Sequence, residues 1–116
     1  MLKNQERIRA RYLKDALPTR LLGLAADLGR VASSTRHATG SEAVAALLEE
    51  SQYFIEWTAA EAPVDVAVEL VNLQVMLALW RRAWPEAQHS QRQRSLLAVQ
   101  AKQWSDRVLD LQTEMT

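Results

Sequence analysis

Two apolar seams at helical spacing constrain this chain more than any other feature. Leu17, Leu21, Leu24, Leu28 and Val31 step by four, three, four and three residues; Leu97, Ala101, Trp104, Val108, Leu111 and Met115 step in the same alternation near the other end. A helix turns once in about 3.6 residues, so each set falls on one face, and that face must be covered by another apolar surface. The second set is a heptad seam, the pattern of a helix packed lengthwise against a neighbour. Seams of this kind commit the chain to helix-on-helix packing.

The composition agrees. Gly and Pro number three each, too few for the turns of a sandwich or barrel, and Ala, Leu, Gln, Glu and Arg dominate. These residues lose little rotamer freedom in a helix. A chain of 116 residues supports one core, so residues 1–116 are expected to form a single helical-bundle domain. There is no cysteine, which excludes disulfides, thiolate catalysis and thiolate-ligated metals. No apolar run exceeds the six residues of Val75 to Trp80, far short of a membrane span, and the start Met1-Leu2-Lys3-Asn4 has no apolar signal core. The expected setting is cytoplasmic, with no membrane contact.

Punctuation divides the pattern into four helices. The first covers about 4–34 and is expected to be kinked or split at Pro18, with a single kinked element favoured because the Leu17–Val31 seam keeps its phase across the proline. Ser33, Ser34, Thr35 and Gly40 make a loop, and Thr39 with Glu42 has the spacing of a capping box. A second helix follows over about 40–60, with Val44, Leu47, Leu48, Phe54 and Trp57 on its apolar face. Pro63 suits the first position of a third helix, about 63–84, which Pro85 is expected to stop. Only Asp65, Glu69, Asn72 and Gln74 interrupt its apolar residues before Arg81. That helix is therefore expected to be central or to form a subunit interface, with Asn72 as a buried amide fixing register. The last covers about 88–114, with Arg92, Arg94, Lys102 and Arg107 on its outer face. Short connections imply antiparallel neighbours, so the fold class is all-α, an up-and-down four-helix bundle.

Net charge is zero but segregated. Residues 1–36 carry eight Lys/Arg against three Asp/Glu, residues 37–80 carry seven Asp/Glu and no Lys or Arg, and residues 81–116 carry six against four. Basic and acidic helices lying side by side explain this; outward-facing patches that select a partner would give the same pattern. Lys3, Arg7, Arg11 and Lys14 form one basic stripe with Arg9 and Arg20 nearby, but Glu6 and Asp15 dilute it and only Tyr12 is placed to stack on a base. Nucleic acid is an unlikely partner on this pattern.

The densest stretch is WRRAWPEAQH, Trp80 to His89. Structurally, Arg81 and Arg82 complement the negative end of a helix, Trp80 and Trp84 pack, Pro85 stops that helix and Glu86 sits at the start of the next. As a recognition patch, Trp80, Arg81, Arg82 and Trp84 are the residue types that dominate interface hot spots. Glu86 and His89 have the Glu-x-x-His spacing of carboxylate-bridged metal bundles, but no second copy exists in the chain, so no metal ligand is assigned. Arg82 and His89 also resemble the Arg-x(4–6)-His motif of HEPN-type RNases, which implies a phosphate-orienting arginine and an acid/base histidine; Ala83 departs from the polar residue usual there, and Trp84-Pro85 interrupts the expected helix. Elsewhere, Tyr53 and Trp57 line a pocket or a dimer contact, or else end a helix gripped by its neighbours. His37 is a loop or helix-end cation.

The segments ESQYFIEWTA, LVNLQVMLALW and QAKQWSDRVL together resemble small uncharacterised all-helical proteins of cyanobacteria, over residues 45–110. The resemblance implies a cytoplasmic helical protein and carries no catalytic motif. The expected function is a small protein–protein interaction or assembly module without catalysis or cofactor. It is expected to self-associate as a dimer through Trp104 or the Val75–Trp80 region. An RNase or nucleic-acid-binding bundle built on Arg82 and His89 is the alternative from another class, and a bundle holding a small apolar ligand among its tryptophans is a third.

Overall fold

The structure, a computed structural model, describes residues 4–115, and these are helical with no strand among them. Five helices follow in order: α1 Gln5–Leu13, α2 Leu17–Ser34, α3 Ser41–Thr58, α4 Val64–Ala87 and α5 Gln91–Glu114, with single 3-10 turns at Ala38–Gly40 and Ala59–Glu61.

The single kinked first helix is replaced by two helices, and the break precedes Pro18. Ala16 is extended (ψ 156°), and Pro18 lies in the first turn of α2. A proline is tolerated there because the first backbone N–H groups of a helix have no intrahelical acceptor. The break frees carbonyl groups, and Arg20 takes them. Its Nε donates to Asp15 O (2.9 Å), its Nη2 to Leu13 O (3.1 Å) and its Nη1 to Glu61 Oε2 (2.8 Å) and more weakly to Trp57 O (3.4 Å). Arg20 is thereby buried, and it joins the α1–α2 corner to the end of α3.

An aromatic group closes the same corner. The Tyr12 ring stacks on Phe54 at 4.2 Å, and Trp57 lies 5.9 Å from Tyr12. The Tyr12 hydroxyl donates to Arg20 O (3.1 Å) and shares a 2.9 Å hydrogen bond with Thr58 Oγ1. Burial pushes the phenol up to about 12, so it stays neutral and able to donate.

α2, not the third long helix, is central. It packs most extensively on α5 and then on α3, and Leu21, Leu24, Leu28 and Val31 are fully buried. Small residues are buried on both helices, Ala25 and Ala32 on α2 and Ala98, Ala101 and Ser105 on α5, and Ser105 Oγ donates to Ala25 O at 2.8 Å. Helix separation depends on the side chains at the contact, and alanine and serine keep it short. α3 packs on α4, whereas α4 and α5 meet only thinly.

Three expected helix signals resolve differently. The Thr39–Glu42 capping box does not form: α3 begins at Ser41 with Gly40 as its cap and no side-chain hydrogen bond. Gly40 is pressed against the end of α2, where a Cβ would collide with the carbonyl oxygen of Ser34. Pro63 caps α4 from outside, and Pro85 lies inside α4, which continues to Ala87. Trp84 holds that last stretch: it is buried, and its Nε1 donates to Ser41 O at 2.9 Å. α5 starts at Gln91 because the Ser90 side chain accepts from Gln93 N (3.2 Å), satisfying one of the first-turn donors.

Two outcomes are expected from these contacts. Gly40→Ala destabilises the fold by about 1–3 kcal/mol through overpacking, whereas Gly29→Ala, whose added Cβ meets only Ser105 Oγ at 3.8 Å, is neutral or stabilising because alanine favours the helix; thermal melts of the two variants check the contrast. Arg20→Met strands buried carbonyls and costs about 2–3 kcal/mol. Glu61→Gln leaves the melting temperature nearly unchanged, because the Glu61 side chain is half-exposed.

Candidate functional site

α4 is apolar on two opposite faces. Val66, Leu70, Leu73, Leu77, Trp80 and Trp84 point into the core. On the other side Val64, Val68, Val71, Val75 and Leu79 are exposed, each by more than half, and Ala78 and Arg82 are exposed on the same stripe. A helix that is apolar all round is normally buried all round. Here α2 and α5 satisfy one another, so α4 has neighbours on its inner face only. Contiguous exposed apolar surface on a soluble domain marks a contact site, and this stripe is the strongest such feature among the described residues.

The shallow join of α4 and α5 leaves two grooves beside the stripe, each of about 340 Å³. One is lined by Met76, Gln100, Gln103, Trp104 and Arg107, and the other by Trp80, Ala83, Ala87, Gln93, Leu96, Leu97 and Gln100. The 3.0 Å hydrogen bond from Trp80 Nε1 to Gln100 Oε1 separates them. Arg107 reaches Glu69 across the first at 3.1 Å. Leu96 and Val99 on α5 are exposed as well.

The WRRAWPEAQH stretch is divided by the fold. Trp80 and Trp84 are buried with their indole N–H groups hydrogen-bonded, so neither is an exposed anchor. Arg81 donates to Gln52 Oε1 (2.6 Å) and lies 3.9 Å from Glu49, tying α4 to α3. Arg82, Glu86 and His89 are exposed. The two grooves flanking this corner, the second α4–α5 groove and one of about 360 Å³ lined by Ala45, Ala46, Leu48, Glu49, Arg81, Trp84 and Pro85, include neither Arg82 nor His89. No group of three or more His, Cys, Asp or Glu is placed to hold a metal ion among the described residues.

Tyr53 and Trp57, 5.5 Å apart, belong to the aromatic corner between α1 and α3; Trp57 is buried and Tyr53 half-buried. Asn72 is exposed, not a buried amide. Its side of α4 faces away from the core for the same reason as the valines. Of the basic stripe, Arg7, Arg9, Arg11 and Lys14 are exposed, Arg20 is structural, and Lys3 lies outside the described residues. His37 is exposed after the end of α2.

Sequence reasoning missed Asp27. This α2 carboxylate is buried; Oδ1 accepts from Arg30 at 3.0 Å, and Oδ2 has no hydrogen-bond partner. Burial pushes its carboxyl up to about 7, the Glu50 charge on α3 adds to the rise, and Arg30 opposes it. Burial also raises Glu50. The signal was available, since Asp27 directly precedes Leu28 on the seam side of α2. Its burial makes its charge state a matter of stability.

No helix among the described residues is long and apolar enough to cross a membrane. Comparison of the chain with protein families, with curated proteins and with solved structures gave no match.

The Asp27 environment has a measurable consequence. The native carboxyl keeps a proton that the unfolded chain, with a carboxyl pKa of about 3.9, has already lost. Stability therefore falls as pH rises from about 4 to about 7. Asp27→Asn removes the Asp27 part of that slope, leaving the part due to Glu50, and is more stable than the parent at pH 8 by on the order of 2–4 kcal/mol. Denaturant unfolding of both proteins at pH 4.5 and pH 8 measures it: the gap between them widens with pH.

Proposed function

We propose that this chain is a non-catalytic protein–protein interaction and assembly module that self-associates through the outer face of α4. One observation carries the reading: five large apolar side chains stand exposed at helical spacing along a helix whose opposite face already fills the core. In this reading α2–α5 act as an up-and-down bundle, with α1 appended, that holds the stripe outward. Two-fold dimers are the commonest way for a soluble chain to cover such a face. A cytoplasmic setting and the resemblance of residues 45–110 to small cyanobacterial helical proteins belong to the same proposal.

The nuclease reading gains no support from the corner, where Arg82 and His89 line neither flanking groove. The apolar-ligand reading gains none from Trp80 and Trp84, which are packed and hydrogen-bonded.

Sedimentation equilibrium across the micromolar range is expected to give a mass of two 13.1 kDa chains. Val75→Glu is expected to return it to one chain with helicity retained, because Val75 is outside the core. A single-chain mass for the parent protein at all these concentrations defeats the proposal.

A further inference from the structure

We infer that the two copies meet with their α4 helices antiparallel, about a two-fold axis at the level of Leu73; the inference rests on the self-association reading above. The exposed stripe is Val64, Val68, Val71, Val75, Ala78 and Arg82, with steps of four, three, four, three and four residues. This is a coiled-coil seam, and it is the same read from either end. Inverting it about Leu73 sets Val71 against Val75, Val68 against Ala78 and Val64 against Arg82 of the second copy. An isologous contact requires such reciprocity, since each copy presents one patch to itself.

The charges at the ends choose between orientations. Asp65 lies exposed beside Val64 at the start of α4, and Arg82 lies exposed near its end. Antiparallel copies bring Arg82 of one to the Val64–Asp65 end of the other, twice. Parallel copies would set Arg82 on Arg82, and like charges across an interface are unfavourable. Asn72 is exposed beside the seam, one residue from the axis, so the antiparallel arrangement places polar amides on the flank of its centre.

The stripe runs about 27 Å, for eighteen steps of about 1.5 Å each. A single seam falls below the roughly 800 Å² per partner of a standard interface. Leu79 and Ala83 carry the apolar surface sideways to the α4–α5 groove, where Leu96 lies, with Val99 exposed one turn further along α5.

Disulfide trapping tests orientation separately from association, and the absence of native cysteine makes it direct. Full-length Val68→Cys and Ala78→Cys proteins, which keep Asp65 and Arg82, are purified, oxidised alone, and oxidised as an equal mixture. A disulfide joins Cα atoms about 4.4–6.8 Å apart. In the antiparallel dimer position 68 of one copy lies beside position 78 of the other, whereas like positions are about 15 Å apart. The mixture is expected to give the mixed disulfide as its dominant dimer, with little product from either variant alone. Ready cross-linking of Val68→Cys with itself would establish a parallel pair and overturn the inference while leaving self-association intact. A parent protein that sediments as a dimer but yields no disulfide in any tube also overturns it, placing the contact on another face. A monomeric parent removes both readings.

Discussion

The buried guanidinium of Arg20 is the contact on which the arrangement of the first half depends. Breaking the chain between Leu13 and Leu17 exposes carbonyl oxygens inside the protein, and unpaired buried carbonyls are costly. Arg20 satisfies Leu13 and Asp15 from the first turn of the next helix and still reaches Glu61 beyond α3. A planar group with five donors suits this task. Because one side chain serves both the corner and the end of α3, the direction of α1, the Tyr12–Phe54 stack and the position of α3 are fixed together.

With that corner set, the small residues of α2 and α5 decide the rest. Ala25, Ala98, Ala101 and Ser105 let the two helices close on each other, and Ser105 anchors the contact to a backbone carbonyl of α2. α2 is then enclosed by α3 and α5. α4 reaches the core from one side, beside α3, and its contact with α5 remains slight. The exposed valines are a consequence: a helix with apolar residues on both sides has been given partners for one side.

That consequence connects fold to function. β-Branched valines on a solvent face add no polar hydration and suit a helix pairing seam. Trp80 and Trp84, the residues that drew attention to the Trp80–His89 stretch, instead clamp α4 to α5 and to the start of α3. They hold the inner face of α4 in place, which leaves the stripe turned outward. The proposed contact surface thus lies not on the most unusual letters of the sequence but on its most repetitive ones.

The seams at Leu17–Val31 and Leu97–Met115 determined by themselves that the chain is helical and which faces of α2 and α5 turn inward, because side-chain direction within a helix follows from its own turn. The turn regions near Gly40 and Pro63 were legible for a similar local reason, and Ser90 with Gln93 was a legible start for α5 that the Pro85 stop signal obscured. Tertiary structure decided what spacing cannot express. It placed the break before Pro18, because Arg20 was available to take the freed carbonyls. It made α2 central through contacts such as Ser105 with Ala25, eighty residues apart. It buried Asp27, whose neighbours Arg30 and Glu50 come from two helices. For α4, periodicity offered two equally apolar faces, and only the positions of α2, α3 and α5 determined which one meets water.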